Sequence, residues 1–166
     1  MAQIGTLMGA GDVISQLTIE QKTVKEFEIS RTIRFFGLGT LFVGPTLKTW
    51  YGILNTKLGS TGGRTAFKKM IVDQGFFAPI FISLFISVLG ITQGKKSTEI
   101  EKQLKSDYVD IVLANWTVWP AVQMCNFNYV PVQHQVLVAQ TFALLWNIYL
   151  AWKTNSNSKD VELLKS

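Results

Sequence analysis

The chain has 166 residues, of which 48% are hydrophobic and 16% charged, against about 25% charged in an ordinary soluble domain. Its formal net charge is +5, but the Lys and Arg residues are scattered and no DNA- or RNA-binding motif accompanies them, so we expect no contact with nucleic acid. The single cysteine, Cys125, excludes an intramolecular disulfide.

The start of the chain has neither the basic region of a secretory signal peptide nor an Arg-rich transit peptide, because its first basic residue is Lys22. We therefore expect any organelle address to be internal. The first apolar segment, 4–17, contains Asp12 and is shorter than the roughly 20 residues that a membrane span needs.

Four further apolar segments follow, separated by short polar ones. They comprise residues 35–54, 71–92, 111–130 and 135–152. No charged residue occurs from 74 to 94 or from 111 to 152, and uncharged stretches of this length can cross a bilayer. The polar segment 95–110 indicates an amphipathic helix, with Ser97 as its N-cap and Glu101 in its first turns.

The pattern of these segments indicates the fold class. Period-2 alternation is absent from most of them, which argues against a β-barrel. A soluble helical bundle would show apolar and polar stripes within each helix, whereas 71–92 and 135–152 are apolar on nearly all faces. The sequence therefore predicts an all-α, polytopic helical membrane protein: a compact bundle of four transmembrane helices, or five if the last segment also crosses. The membrane-embedded domain is 1–152, and the polar tail 153–166 is predicted to be disordered.

Three ionisable residues lie at membrane depth: Asp12, Lys48 and Asp73. Charged groups in hydrocarbon are costly, so they usually face protein or water. Asp12 either caps or pairs locally, and Asp73 lies either at a helix mouth near Lys69 or in the interior. In the second case both carboxylates line an aqueous path or form ion pairs across helices. For Lys48 we favour a side chain that reaches out to the interface.

Four carboxamides are further candidates for lining or gating a passage: Gln16, Gln74, Gln123 and Asn126. Gln123 and Asn126 are three residues apart and share one helix face, which Trp119 joins four residues earlier. Each amide is also suited to hydrogen bonding with a neighbouring helix, typically for about 0.6 kcal/mol. The sequence alone leaves both roles open.

Small residues and prolines are candidates for helix packing and kinks. Gly5 and Gly9 form a GxxxG pair suited to close helix contact. Proline removes a helical hydrogen bond and bends or ends a helix. The remaining candidates of this kind are Gly44, Pro45, Pro79, Trp119, Pro120 and Pro131.

Catalysis has little support in the sequence. The one histidine, His134, follows Pro131 in a predicted turn, and Cys125 has no neighbour that would activate its thiol. No phosphate-binding loop, metal cluster or nucleophile motif occurs. We expect no enzymatic activity, no metal and no cofactor.

Several motifs together resemble a known family. They are GDVISQ at 11–16, RTIRFFGLGTLFVGPTLKTWY at 31–51, KKMIVDQGFFAP at 68–79, NWTVWPAVQMCNFNYVP at 115–131 and WNIYLAW at 146–152. In this order they resemble the Mpv-seventeen / peroxisomal-membrane-protein-twenty-two family over nearly the whole chain. Members usually carry more residues before GDVISQ, so the first span is expected to be short here.

The resemblance implies a small integral protein of the inner mitochondrial membrane, with the peroxisomal membrane as the alternative. It implies a weakly selective channel for small hydrophilic metabolites or ions, which contributes to mitochondrial homeostasis and mitochondrial DNA maintenance. Its partners would be the lipid bilayer and these solutes, and it is expected as a homo-oligomer or as part of a larger membrane complex. The alternative function is a scaffold that transports nothing and organises inner-membrane complexes.

Overall fold

A computed structural model of the chain describes residues 2–60 and 62–146, and these residues form five helices and no strand. α1 comprises Ala2–Ile14 and a π turn at Ser15–Ile19; α2 comprises Ile29–Leu38, a π turn at Gly39–Val43, and Gly44–Leu58; α3 comprises Gly63–Val72, a π turn at Asp73–Phe77, and Ala78–Thr92; α4 is Ser97–Tyr129; α5 covers 132–146. The all-α prediction is confirmed. The predicted tail 153–166 and the end of the last apolar segment, 147–152, lie outside the described residues.

α2 and α3 share one layout, in which ten α-helical residues precede a five-residue π turn and fifteen follow it. Each turn is closed by a bond five residues back, from Gly44 N–H in α2 and from Ala78 N–H in α3. The next residue is Pro45 or Pro79, which has no N–H. In each helix, the carbonyl that would accept the Gly44 or Ala78 N–H in a regular α-helix therefore has no backbone donor, either four or five residues ahead.

The described chain divides into two compact units. The central unit is Trp50–Gln135. The terminal unit contains the residues up to Thr49 and those from Val136 onward. The boundaries fall inside α2 and inside α5.

In the terminal unit, α1 packs closely against α2 through glycines. A Cβ placed on Gly39 would lie 2.8 Å from the Gly5 Cα, and one placed on Gly5 would lie 2.6 Å from the Phe36 carbonyl oxygen. A Cβ on Gly9 would lie 3.5 Å from the Phe36 Cβ, an ordinary contact. Of the predicted GxxxG pair, Gly5 is thus the member that the close approach requires.

In the central unit, α3 and α4 pack along each other, and the central-unit part of α2 adds Tyr51 and Leu54 to the core. The Phe127 ring of α4 meets the Tyr51 ring edge-on, with ring centroids 5.3 Å apart. Ala66 of α3 is fully buried. The Tyr108 hydroxyl donates to the Pro79 carbonyl oxygen at 3.2 Å, which fastens α4 to α3 just after the π turn.

Within the described residues, one helix is long and apolar enough to cross a membrane, and it is α3, Gly63–Thr92. Only 11% of its most apolar 18-residue window is buried, which suits a surface that faces lipid better than a soluble core helix. Of the four or five predicted spans, one is therefore supported by such a helix within the described residues. α1 is short, and α2 carries Arg31, Arg34 and Lys48.

The segment expected as a separate amphipathic helix is the first half of α4, which runs unbroken through Pro120. Its N-cap is Lys96 rather than Ser97, and the Glu99 carboxylate accepts the Lys96 N–H at 2.7 Å. Its 33 residues extend for about 50 Å at 1.5 Å per residue, more than the roughly 30 Å of a hydrocarbon core. The charged first half packs along the apolar second half of α3, from Ile100 beside Gly90 to Tyr108 at Pro79.

Candidate functional site

A buried carboxylate, Asp73, is the centre of the polar network in the central unit. It lies in the π turn of α3 and is 2% exposed. Its Oδ1 accepts the Trp50 indole N–H at 2.7 Å. Its Oδ2 accepts the side-chain amides of Gln74 at 2.7 Å and Gln123 at 2.8 Å. The carboxylate thus joins α2, α3 and α4.

The network continues along α4 through carboxamides. The Gln123 amide also donates to the Tyr51 hydroxyl at 2.8 Å, and its Oε1 accepts the Asn126 amide at 3.1 Å. The same Asn126 amide donates to the Gln135 carbonyl oxygen at 3.1 Å. Two of the predicted pore or gate residues, Gln123 and Asn126, therefore meet Asp73 through one chain of hydrogen bonds.

The π turn explains why α4 can also bind the backbone of α3. The Gln74 carbonyl loses its α-helical donor, Ala78, to Asp73, and Pro79 offers no N–H in its place. The Trp116 indole N–H donates to this carbonyl at 2.9 Å. The Gln74 side-chain oxygen accepts the Asn115 amide at 2.8 Å. The predicted candidate Gln74 is thus held by two consecutive residues of α4.

The charge of Asp73 is balanced by N–H dipoles rather than by a cation, because within the described residues no Lys or Arg forms an ion pair with it. Two buried acceptors in the same network, Asn126 Oδ1 and Gln135 Oε1, have no hydrogen-bond partner among the described side chains and backbone. Such acceptors can receive a hydrogen bond from a passing solute or water. The network therefore contains buried acceptors with unused hydrogen-bonding capacity.

A buried cation, Lys69, lies one turn before Asp73 on α3 but does not pair with it. Its Nζ donates to Asn55 Oδ1 at 3.2 Å and to the Ser60 carbonyl oxygen at 3.5 Å. It also lies 5.9 Å from the centre of the Phe127 ring, within the range of a cation–π contact. The central unit therefore buries both a positive and a negative group, each satisfied by neutral partners.

The terminal unit has its own network around Asp12, which is 6% exposed. Its Oδ1 lies 2.6 Å from Arg31 Nε. Its Oδ2 accepts the Thr32 hydroxyl at 2.6 Å and the Gln16 amide at 2.8 Å. The Gln16 Oε1 accepts the Glu28 backbone N–H at 2.8 Å. Asp12 thus makes the ion pair across helices that was one of its predicted alternatives.

Arg31 extends this network to charges at the end of α1. Its two terminal nitrogens bind both carboxylate oxygens of Glu20, at 3.0 and 2.8 Å, a bidentate arrangement. Lys22 adds contacts of 3.0 Å to Glu20 and 2.5 Å to Glu28. The hydrogen bonds from Arg31, followed by those from Lys22, lower the pKa of Glu20 to about 2, while partial burial opposes them.

The other predicted residues lie outside both networks. Lys48 is exposed on α2. Gly44 is buried and Pro45 half-buried after the first shared π turn; Pro79 is half-buried after the second; Trp119 and Pro120 are half-buried within α4; Pro131 is exposed before α5.

Several network residues escaped the sequence analysis. They are Arg31, Thr32, Trp50, Tyr51, Asn115 and Gln135, while Lys69 was considered only as a neighbour of Asp73. Asn115 and Trp119 precede Gln123 by eight and four residues, so helix periodicity could have placed Asn115 on the same face. Arg31 and Gln135 follow turns, and spacing alone could not pair them. Within the described residues no three His, Cys, Asp or Glu side chains lie together as a metal site.

Comparisons with known proteins add an independent finding. The model of the Mpv17 / PMP22 family matches residues 90–151. Mitochondrial inner membrane protein Mpv17 of Xenopus laevis is 42% identical over 153 residues, covering 92% of this chain and 86% of the relative. The Homo sapiens protein of that name is 40% identical over 151 residues, covering 91% and 86%. The Drosophila melanogaster protein of that name is 39% identical over 155 residues, covering 92% of each. No solved structure matches the chain.

Proposed function

The chain belongs to the Mpv17 / PMP22 family, as its motifs predicted, and from this premise we propose that it is a weakly selective channel for small hydrophilic solutes or ions. The names of its relatives support an association with the inner mitochondrial membrane rather than the peroxisomal one. The proposal adds that the chain crosses this membrane several times. It also includes the contribution to mitochondrial homeostasis and mitochondrial DNA maintenance that the resemblance implied.

One observation carries the proposal, namely the buried carboxylate Asp73 in the helix that is suited to crossing the membrane. A charged group at such depth is expensive, and it usually marks a path for solutes or ions. Gln123 and Asn126 continue from it along α4, and Asn126 Oδ1 is a buried acceptor to which no described residue donates. A solute that displaced the Gln123 amide would meet acceptors on both sides.

Conductance of the purified full-length protein in planar bilayers tests this. We expect discrete openings that prefer cations, and we expect Asp73→Asn to lower that preference because it removes the buried negative charge at nearly constant size. Asn126→Asp adds a charge to the same network and should raise the preference. The matched control is Asp110→Asn, because Asp110 is exposed on α4 and outside both networks.

Two outcomes would contradict the proposal. One is a silent bilayer that contains folded protein, with folding checked by circular dichroism and thermal unfolding. The other is a conductance whose ion preference is the same in wild type, Asp73→Asn and Asn126→Asp. If Asp110→Asn changed the ion preference as much as Asp73→Asn, the preference would not be assigned to Asp73.

A different observation favours the second candidate function, a scaffold that organises inner-membrane complexes. Both oxygens of Asp73 already accept hydrogen bonds from side chains of three helices, as expected of polar groups that hold helices together. Crosslinking in mitochondria followed by identification of the captured inner-membrane proteins tests it. If the chain is a scaffold, the same inner-membrane protein should be captured reproducibly. It should also be captured by the Asp73→Asn variant when that variant is folded.

A further inference from the structure

An apolar slot lies between α3 and α4 of the central unit, away from the network around Asp73. Its volume is about 360 Å³. Phe81, Phe85 and Leu89 of α3 and Ile111 of α4 form much of its lining. The Phe81 and Phe85 rings stack 6.4 Å apart along α3, so part of one wall is aromatic. A flexible hydrocarbon chain suits this slot.

The polar residues that line the slot include a cation. Gln93, Lys95 and Gln103 line the slot, and no carboxylate does so among the described residues. The Lys95 ammonium donates to Gln103 Oε1 at 2.9 Å and forms no ion pair within the described chain. The nearby acids are engaged elsewhere, because Glu99 binds the Lys96 N–H and Glu101 pairs with Lys105. The slot therefore combines an apolar body with one available positive charge.

The turn after α3 fixes Lys95 in this place. Gly94 has a positive φ of 75°, its N–H donates to the Ile91 carbonyl oxygen at 2.9 Å, and the Lys95 N–H donates to that of Gly90 at 3.0 Å. These two bonds form the Schellman motif that ends many helices. Because Gly90 has no side chain, the Lys95 stem lies beside it, with Cδ 3.8 Å from where a Cβ would be. The ammonium is thereby directed to the slot.

The position of Lys95 matches that of a lipid headgroup. It follows the last residue of α3, Thr92, by three residues, and α3 is the helix suited to crossing the membrane. Lipid phosphates lie just outside the hydrocarbon core, and basic residues at helix ends bind them. A phosphate there would also lie near the Gln103 side-chain amide, which donates to no group among the described residues while the Gln103 oxygen accepts from Lys95.

We propose that this slot binds an anionic phospholipid, with an acyl chain against the Phe81–Phe85 wall and the phosphate at Lys95 and Gln103. The inference rests on the membrane association included in the proposed function, and it is independent of conduction. Binding would fasten α3 to the charged half of α4 at the membrane surface.

Photolabelling in vesicles tests the proposal. The full-length protein is reconstituted in phosphatidylcholine vesicles that contain a trace of a photoreactive lipid. This lipid is either phosphatidylglycerol or phosphatidylcholine, and both carry the same photoreactive acyl chain. Labelled peptides are mapped by mass spectrometry. We expect phosphatidylglycerol to label 81–89 about fivefold more than phosphatidylcholine, the factor for one lysine near an anionic lipid. Lys95→Ala should abolish this preference. Lys96→Ala should retain it, because it removes the same charge from the next, exposed residue outside the slot.

A second variant and a competitor complete the test. Ile82→Trp fills the slot at constant charge and should remove the label from 81–89 while circular dichroism stays unchanged. Equal labelling of the wild type by both lipids, or a preference that persists in Lys95→Ala, would overturn the proposal. Competition by a free fatty acid but not by unlabelled phosphatidylglycerol would assign the slot to fatty acids instead. Bilayers that are silent while the lipid preference persists would count against the channel alone.

Discussion

The two buried carboxylates of this protein are stabilised in different ways. Asp12 pairs with the guanidinium of Arg31, whereas Asp73 accepts N–H groups from Trp50, Gln74 and Gln123. The sequence identified both carboxylates as candidates because each lies in an apolar stretch. The contacts with Arg31, Trp50 and Gln123 could not be predicted, because these partners come from other helices. The choice between a cation and neutral donors depends on which helix packs alongside.

The charges around Arg31 predict a pH dependence of the terminal unit. The folded-state pKa of Glu20, about 2, lies below its usual value of 4.5. A lowered pKa stabilises the fold fully above pH 4.5, and the stabilisation is lost as the pH falls toward 2. We expect Glu20→Gln to lower the free energy of unfolding at pH 7 by less than about 1 kcal/mol, because the pair is partly exposed. The difference from wild type should shrink as the pH approaches 2.

Thermal unfolding of the detergent-solubilised protein between pH 7 and pH 2.5 measures this difference. Glu101→Gln is the control, because its ion pair with Lys105 is an exposed pair within one helix turn. A difference between wild type and Glu20→Gln that stays constant down to pH 2.5 would show that the effect does not come from the ionised carboxylate.

The contact between Gly5 and Gly39 gives a prediction with a matched control. In Gly39→Ala the new methyl group would meet backbone atoms of Gly5 and Ile4 at 2.8 to 3.0 Å, so α1 must move away and stability should fall by about 1 to 3 kcal/mol. In Gly37→Ala the methyl group meets nothing within 4 Å, and stability should rise by about 0.4 to 1 kcal/mol. Thermal unfolding compares the two. Equal effects would mean that α1 does not pack here.

At the scale of helices, the π turns of α2 and α3 are what the sequence analysis missed. Pro45 and Pro79 were expected as kink or packing positions, and proline does explain why a backbone carbonyl loses its helical donor. The sequence analysis could not predict that the chain responds with a π turn, because that outcome depends on a donor in another helix. For α3 the donor is Trp116 of α4. The long α4 packs along α3 on both sides of this turn.

Removal of that donor gives a prediction for α3. Trp116→Phe keeps an aromatic ring but leaves the Gln74 carbonyl without the indole N–H. We expect a loss of about 1 kcal/mol in the free energy of unfolding and faster amide hydrogen exchange in 73–78. Trp119→Phe is the control, because Trp119 forms no such hydrogen bond in the described chain. Exchange in 73–78 that is equally slow in both variants would show that Trp116 does not hold the turn.

At the scale of the whole molecule, the family and the helical class were predictable from motifs and from the length of the apolar segments. The number of crossings was not, because it depends on which partly charged helices enter lipid. Asp12, Arg31 and Lys48 are in α1 and α2, and the comparison with relatives does not count spans. The crossing by α3 is the part of the topology that length and apolarity support directly.

A crossing by α3, which the proposed function includes, requires its two ends to face opposite compartments. In a Cys125→Ser background, Ser60→Cys and Lys96→Cys place single thiols before and after α3. We expect a membrane-impermeant maleimide added to mitoplasts to label one of them, and the other only after the membrane is permeabilised. Labelling of both thiols from the same side would mean that α3 lies on or re-enters the membrane.

The π turns also determine where one residue can be deleted without changing which helix faces are buried. A π turn is an α-helix with one additional residue, so the segments on either side keep the phase that they would have without it. Loss of one residue elsewhere in α3 would rotate all that follows by about 100° and change which of its faces is exposed. Loss of Gly75, whose α-carbon has open space around it, would only return the turn to a regular helix. Each of these two turns is therefore a place where a one-residue deletion leaves the pattern of buried and exposed faces unchanged.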